Sequence, residues 1–156
     1  MSDLKISDFT TQPPTSKRIL VCEDEREIAH IIEVYLELMG HSVDCALTAD
    51  QAVELYQSSL SLNEPYDLVI TDVDMNGHTG LYFASHIRAQ GYEGRIVVLT
   101  NLSQDLIAHS VAQVGGEYYL KTNEITDLET IIAGQPLERN RRASDQHWGL
   151  GRAPIG

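Results

Sequence analysis

The sequence is poor in several kinds of residue, and each shortage argues against a class of protein. Only two of the 156 residues are cysteines, Cys22 and Cys45, and both lie in apolar, strand-like stretches. This usage argues against a disulfide-rich secreted scaffold and favours small buried side chains in a reducing compartment. Lysine and arginine number 11 against 23 acidic residues, a net charge of -12. The chain therefore lacks the positive charge with which proteins bind nucleic acid or anionic membranes.

Long apolar runs are also missing. No stretch approaches the roughly 20 apolar residues of a membrane-spanning helix. The N-terminal sequence, MSDLKISDFTTQPP, lacks the basic-then-apolar form of a secretory signal. We therefore expect a cytoplasmic protein that binds neither nucleic acid nor membrane. A length of 156 residues suits one domain with a sizeable core.

What the sequence does contain is five short apolar strands that alternate with five amphipathic helices. The strands are centred on RILV, HSVDCAL, LVI, RIVVLT and YYL. Between them, apolar residues recur at three- and four-residue spacing, as at Ile28, Ile31 and Ile32. Capping residues such as Thr48 and Thr79 mark helix starts. The alternation predicts an α/β fold, a doubly wound parallel sheet with the flavodoxin-like strand order 2-1-3-4-5 and five helices.

The two ends of the chain differ from this body. Residues 1–16 are polar, contain two adjacent prolines and show no periodicity, so we predict a flexible lead-in. Residues 134–156 carry four arginines, several glycines and the single tryptophan, Trp148, without a helical face. We predict that this segment is a disordered, locally basic tail, and a docking peptide is the alternative. The domain itself is expected over residues 17–133, with no effector domain after it.

Polar side chains follow four of the five predicted strands, at the point where each strand ends. They are Glu23 and Asp24 after the first strand, Asp72 and Asp74 after the third, Thr100 after the fourth and Lys121 after the fifth. The ends of parallel strands share one edge of the sheet, and the first and third strands are neighbours in the predicted order. The carboxylates are therefore expected to lie close together.

Clustered carboxylates need a cation, because two unit charges about 4 Å apart repel by roughly 4 kcal/mol at an effective dielectric near 20. An open, all-oxygen acidic site suits Mg²⁺, which keeps waters and adds a phosphate oxygen. The Lys121 ammonium and the Thr100 hydroxyl are suitable donors to a phosphoryl group, and an aspartate is able to form an aspartyl phosphate. Ordinary polar loop residues are the alternative interpretation, which their common position after four strands disfavours.

Taken in order, these residues resemble the receiver domain of two-component response regulators. The matching segments are ILVCEDE, VITDVDMNGHTG, VVLTN and EYYLKT, and the likeness runs from about Lys17 to Ala133. The resemblance implies a stand-alone signalling switch rather than an enzyme. A histidine kinase or phosphotransfer protein would donate the phosphoryl group with Mg²⁺ bound, and output would pass through contacts with an unidentified protein target.

The resemblance also assigns roles to individual residues. It implies phosphorylation of Asp72 and a metal site formed by Glu23, Asp24, Asp72 and the backbone carbonyl of Asp74. The remaining roles are those of the switch hydroxyl, the phosphate-binding cation and the aromatic ring that turns inward on activation. They fall to Thr100, Lys121 and Tyr118, respectively.

Three positions depart from the family pattern. Thr122 follows the lysine where the family commonly has a cis proline, and a non-proline cis bond costs about 3 kcal/mol, so we predict a trans bond there. Asn76 replaces a usual proline in the phosphoacceptor loop, and Asn101 stands where a small residue is typical. These changes affect kinetics and the switching surface more than the ability to be phosphorylated.

Two other functions compete with this interpretation. Asp72 and Asp74 reproduce the D-x-D pair of haloacid dehalogenase-like phosphohydrolases, although there that pair ends the first strand. A receiver-like interaction module that no longer uses phosphate is the second alternative. The six histidines show no metal-ligand spacing, and each is predicted to lie on the surface.

Overall fold

The computed structural model describes residues 16–74, 79–121 and 125–134. Strands and helices alternate through these ranges. Their bounds are β1 (Arg18–Cys22), α1 (Arg26–Leu38), β2 (Ser42–Ala46), α2 (Ala49–Ser61), β3 (Leu68–Thr71), α3 (Gly80–Ala89), β4 (Arg95–Thr100), α4 (Gln104–Gln113), β5 (Gly116–Leu120) and α5 (Asp127–Ile132).

Several predictions fall on segments outside the described residues. They are the lead-in as far as residue 15, the tail from residue 135, the positions of Asn76 and His78, and the trans bond before Thr122. These statements remain predictions.

All five strands are parallel, and their order is β2-β1-β3-β4-β5. The predicted strand order is thereby confirmed. In the register, Cys22 at the end of β1 lies beside Thr71 at the end of β3. The two strands therefore stop at the same level, and the residues that follow them emerge side by side.

Two apolar layers cover the two faces of the sheet. Alternate residues of β1 point to opposite layers: Leu20 belongs to the layer under α2, α3 and α4, whereas Ile19 and Val21 belong to the layer under α1 and α5. The central strands are buried on both faces, which explains why their sequences are continuously apolar rather than alternating. This packing holds the polar strand ends on a rigid frame.

Helix ends follow the chemistry that the sequence indicates. The Thr48 side chain accepts a hydrogen bond from the Gln51 amide at 3.0 Å, and Thr79 accepts one from the Tyr82 amide at 3.0 Å. Each such cap contributes about 1 kcal/mol. The return bond from the Gln51 side chain differs from an ideal capping box, because its oxygen accepts from the amide of Leu47, one residue before the cap.

Arginine side chains connect helices and strands at the edge of the sheet where the strands begin, which we call the amino edge; the edge where the strands end is the carboxyl edge. The Arg95 guanidinium binds Glu117 of β5 through two hydrogen bonds of 2.8 Å. It also donates to the carbonyls of Ile131 and Ile132, at 2.8 and 3.0 Å. One side chain of β4 therefore attaches both the edge strand and the end of the last helix.

Arg88 and Arg18 act similarly at the same edge. Arg88, near the end of α3, donates to the carbonyls of Tyr92, Gly94, Val114 and Gly115, at 2.7 to 3.1 Å. Arg18, the first residue of β1, donates to the Glu64 carbonyl at 2.9 Å and lies over the Tyr66 ring. Because carbonyls near strand entries would otherwise lose hydrogen bonds on burial, these contacts stabilise the connections that start the strands.

The histidine prediction is wrong at one position. His30 and His109 are exposed, as expected, but His41 is only 8 % exposed. Its Nδ1 accepts a hydrogen bond from the Lys17 amide at 3.0 Å. The ring thus substitutes for a backbone acceptor at the start of β1, a role that requires its neutral form.

The two cysteines lie on opposite faces of the sheet, because Cys22 belongs to the layer under α2 and Cys45 packs against the layer under α1. Burial raises the pKa of both thiols to about 12, so neither forms a reactive thiolate at neutral pH. Among the described residues, no helix has the length and apolar character needed to cross a bilayer.

Candidate functional site

The carboxyl edge of the sheet gathers three acidic side chains. Glu23 and Asp24 follow β1, and Asp72 follows β3, where its amide donates to the Cys22 carbonyl at 3.0 Å. One carboxylate oxygen from each acidic residue lies within 4.8 Å of the others. Glu23 and Asp72 are 2 % and 7 % exposed, so little solvent screens the repulsion between them.

A single ammonium group lies between two of these carboxylates. Lys121 follows β5, and its Nζ is 2.6 Å from Oε1 of Glu23 and 2.8 Å from Oδ2 of Asp72. Burial raises the pKa of Glu23, although the hydrogen bonds from Lys121 and the Glu25 amide oppose this shift. Burial alone would lower the pKa of Lys121, but its bonds to Asp72 and Glu23 outweigh burial and raise it. Lys121 therefore stays charged at neutral pH.

The second oxygen of Asp72 is held by backbone amides. Oδ1 accepts from the Val73 amide at 2.6 Å and from the Asp74 amide at a longer 3.4 Å. Both oxygens of Asp72 thus have fixed donors, which orients the carboxylate without further side chains. The side chain of Asp74 is exposed.

Gly80 permits the close packing behind this carboxylate. Its amide donates to the Val73 carbonyl at 3.2 Å, and a Cβ added at Gly80 would overlap the carbonyl oxygen of Asp72. The same carbonyl accepts from the Thr71 hydroxyl at 2.9 Å. Thr71 is not among the predicted site residues, and its signal in the sequence is a hydroxyl at the end of an otherwise apolar strand, which is fully buried.

A second connection runs along the same edge through the loop after β4. The buried Thr100 accepts a hydrogen bond at Oγ1 from the Leu102 amide at 3.2 Å. The carbonyl of Leu102 in turn accepts from the Tyr118 hydroxyl at 2.6 Å. Leu102 therefore joins the two residues that the resemblance assigns to switching. Its role is not predictable from its side chain, because only its backbone takes part.

The predicted site residues thus fall into two groups. Glu23, Asp24, Asp72 and Lys121 meet directly, whereas Thr100 and Tyr118 are joined through Leu102 in the neighbouring loop. Carboxylate oxygens are the ligands that Mg²⁺ prefers in proteins. Three of them in one partly open cluster fit a divalent cation, and they carry more negative charge than the ammonium of Lys121 balances.

Comparisons with known proteins identify the family of the chain. Residues 19–133 match the family model of the response regulator receiver domain. The chain is 34 % identical over 103 residues to the transcriptional regulatory protein DltR of Streptococcus agalactiae, covering 66 % of this chain and 44 % of DltR. It is 33 % identical over 116 residues to TctD of Salmonella typhimurium, covering 74 % of this chain and 50 % of TctD. The chain thus spans about half the length of these relatives.

A solved structure agrees as well. The response regulator TrrA of Thermotoga maritima, in complex with Mg²⁺ and BeF, superimposes with a TM-score of 0.65 at 30 % identity. The match covers 76 % of this chain and 97 % of that one. The alternative of a haloacid dehalogenase-like phosphohydrolase gains no support from these comparisons. Because the family match covers the sheet and its helices, the chain belongs to the receiver domains of two-component response regulators.

Proposed function

We propose that the receiver domain, residues 17–133, is switched by a phosphoryl group accepted on Asp72. The observation that carries this proposal is the arrangement of the two Asp72 oxygens. Oδ2 receives the Lys121 ammonium at 2.8 Å, and Oδ1 receives the Val73 amide at 2.6 Å. A carboxylate held in this way presents a lone pair in a fixed direction, which favours attack on a phosphoryl group.

The donor is a phosphorylated histidine of a kinase or phosphotransfer protein. A carboxylate oxygen of Asp72 forms a bond to phosphorus as the bond from phosphorus to the imidazole nitrogen breaks. The imidazole leaves with the electron pair of that bond, and Asp72 becomes an acyl phosphate. Lys121 and the Thr100 hydroxyl then donate to the phosphoryl oxygens, where the negative charge is greatest.

The metal that fits this site is Mg²⁺. Glu23, Asp24 and Asp72 would hold it through carboxylate oxygens, and Asp74 through its backbone carbonyl. When bound, it neutralises charge on the transferring phosphoryl oxygens. The described carboxylates support this proposal because three of them lie within 4.8 Å of one another, with only one ammonium beside them.

Phosphorylation changes the hydrogen bonds of Thr100. When its hydroxyl turns toward the phosphoryl group, the bond from the Leu102 amide is strained or lost. A shift of Leu102 then alters the bond between its carbonyl and Tyr118. The phosphoryl group thereby biases a two-state surface that a protein target recognises. The chain acts as a signalling protein, in the cytoplasm and without direct contact to nucleic acid or membrane.

The test is labelling by acetyl phosphate with Mg²⁺, followed by intact-mass measurement and borohydride trapping. We expect one added phosphoryl group, located on Asp72, and none in Asp72→Asn. The matched control is Asp74→Asn, which should still be labelled, because only its backbone is needed, and should change the lifetime of the acyl phosphate severalfold.

A folded protein that takes no label would support a phosphate-independent interaction module instead. Multiple turnover of p-nitrophenyl phosphate, lost in Asp74→Asn, would mean that Asp74 is a general acid and base and that the chain is an enzyme.

A further inference from the structure

A cavity of about 240 Å³ opens between α1 and α5, beside the carboxyl edge. We call it the α1–α5 groove. Six of the eight described residues that line it are apolar: Ile28, Ile32, Leu99, Ile125, Leu128 and Ile131. Asn101 and Lys121 complete the lining, so one end of the groove reaches the site that holds Asp72.

The size of the groove limits what it accepts. Small-molecule and cofactor sites usually exceed about 300 Å³. A volume of 240 Å³ corresponds to about eight waters at about 30 Å³ each, in contact with a mostly apolar wall. Replacing such waters with one large apolar side chain is favourable, because apolar surface leaves water. The groove therefore suits a single large side chain.

The chain itself supplies one. The described residues end at Gly134, two residues after α5, and residues 135–156 contain a single aromatic side chain, Trp148. Thirteen residues separate Gly134 from Trp148, and an extended chain of that length reaches up to about 45 Å. The α5 helix has only 6 residues and spans about 9 Å. Trp148 is therefore within easy reach of the groove.

The charges are complementary. Residues 135–156 carry four arginines against two acidic residues, a net charge of +2, whereas the rest of the chain carries seven basic and 21 acidic residues. The two helices that flank the groove carry acidic residues beside it: α1 contains three glutamates and one arginine, and α5 contains Asp127 and Glu129. The lining itself contains no carboxylate among the described residues, and its one charged side chain is Lys121. Burial and the charge of Glu129 raise the pKa of Tyr35 on α1, so this α5 carboxylate lies close to α1.

We propose that residues 135–156 bind back onto the domain, with Trp148 in the α1–α5 groove and the arginines near the acidic side chains of α1 and α5. In this position the segment covers the flank of the site beside Lys121. It would compete with a protein phosphodonor approaching Asp72 much more than with a small one, a consequence that rests on the proposed function. The docking itself does not rest on it.

Trp148 is the only tryptophan, so tryptophan fluorescence, excited at wavelengths where the seven tyrosines do not absorb, reports on this segment alone. We expect a blue-shifted emission and acrylamide quenching several-fold weaker than in the urea-unfolded chain. Ile28→Gln, at a half-buried position in the groove wall, should move both values toward those of the unfolded chain. The matched control is Leu38→Gln, on the same helix, because Leu38 is 81 % exposed and outside the groove. It should leave both values unchanged.

A second measurement covers the case in which Ile28→Gln does not fold. Trp148→Ala should speed hydrogen exchange in α1 and α5 and leave exchange in α2 unchanged. Solvent-like emission in the wild type, equal effects of Ile28→Gln and Leu38→Gln, or unchanged exchange in Trp148→Ala would overturn the proposal. Emission that turns solvent-like on dilution would also overturn it, because the groove would then be filled by a second copy. Acetyl phosphate labelling of Asp72 tests the proposed function separately.

Discussion

The two edges of the sheet carry charged groups of opposite sign in different surroundings. At the amino edge, the guanidinium groups of Arg88 and Arg95 each make four hydrogen bonds, to backbone carbonyls and to a carboxylate. At the carboxyl edge, Glu23, Asp24 and Asp72 cluster around the ammonium of Lys121. In the first arrangement each guanidinium has several hydrogen-bond acceptors, whereas the second has surplus negative charge.

This difference separates stability from function. Charged groups whose hydrogen bonds are already made within the protein gain little from a ligand, and their removal lowers the stability of the fold. Surplus charge in a buried site costs stability but creates affinity for a cation and for the group that the cation accompanies. Substitutions at the carboxyl edge should therefore reduce phosphorylation and spare stability, whereas substitutions at the amino edge should reduce stability and spare phosphorylation.

The largest expected effect is at the carboxyl edge. Asp72→Asn should reduce labelling by acetyl phosphate below detection, since the amide is not nucleophilic. The free energy of unfolding should stay equal to the wild-type value or rise, because the substitution removes one of the clustered charges. Mass spectrometry and urea denaturation measure the two quantities. If Asp72→Asn lost labelling because it unfolds, the carboxyl edge would also be needed for stability, and the contrast between the two edges would be wrong.

The reciprocal experiment is at the amino edge. Arg95→Ala should lower the free energy of unfolding by about 2 kcal/mol, because it removes four partly exposed hydrogen bonds at once. Arg95→Lys should lose less, since it keeps the charge but not the two-pronged geometry. Both variants should still be labelled at Asp72. Loss of labelling in a folded Arg95→Lys protein would mean that the edges are coupled.

Glu23→Gln sharpens the comparison within the carboxyl edge. Losing one carboxylate ligand should weaken Mg²⁺ binding by about tenfold or more, measurable by calorimetry. Burial raises the pKa of Glu23 in the folded state. The protonated carboxyl therefore contributes stability below the pKa of the unfolded state, about 4.3, and this contribution is lost as pH rises through the pKa of the folded state. The advantage of Glu23→Gln in urea denaturation should therefore grow from pH 4 to pH 7. If the stability difference between Glu23→Gln and the wild type shrank over that range, burial would not be what raises the pKa of Glu23.

The smallest effect concerns a titrating group at the amino edge. Burial lowers the pKa of His41 in the folded state. The neutral ring therefore contributes its full stability above the pKa of the unfolded state, about 6.5, and this contribution is lost as pH falls through the pKa of the folded state. His41→Asn should flatten the dependence of unfolding free energy on pH in that window. His30→Asn, at an exposed position, serves as the control. Identical pH profiles for His41→Asn and the wild type would show that this ring does not govern acid sensitivity.

The sequence predicts the strand order and the convergence of Glu23, Asp24, Asp72 and Lys121, because both follow from local patterns and a general rule for parallel sheets. The amino edge is not predictable in the same way. An arginine that binds carbonyls on distant segments looks like any surface arginine in the sequence. The burial of His41 is missed for the same reason, since its partner, the Lys17 amide, lies 24 positions away.

Leu102 connects Thr100 and Tyr118 entirely through main-chain atoms, its amide on one side and its carbonyl on the other. In the proposed switch, a signal that passes between Thr100 and Tyr118 is therefore insensitive to the identity of the side chain at position 102. Most substitutions of Leu102 would alter packing and leave the relay intact. Proline is the exception, because it has no amide hydrogen to donate and breaks the connection while the loop keeps its length. Mutational scans that look for signalling residues through side-chain truncation would pass over this point.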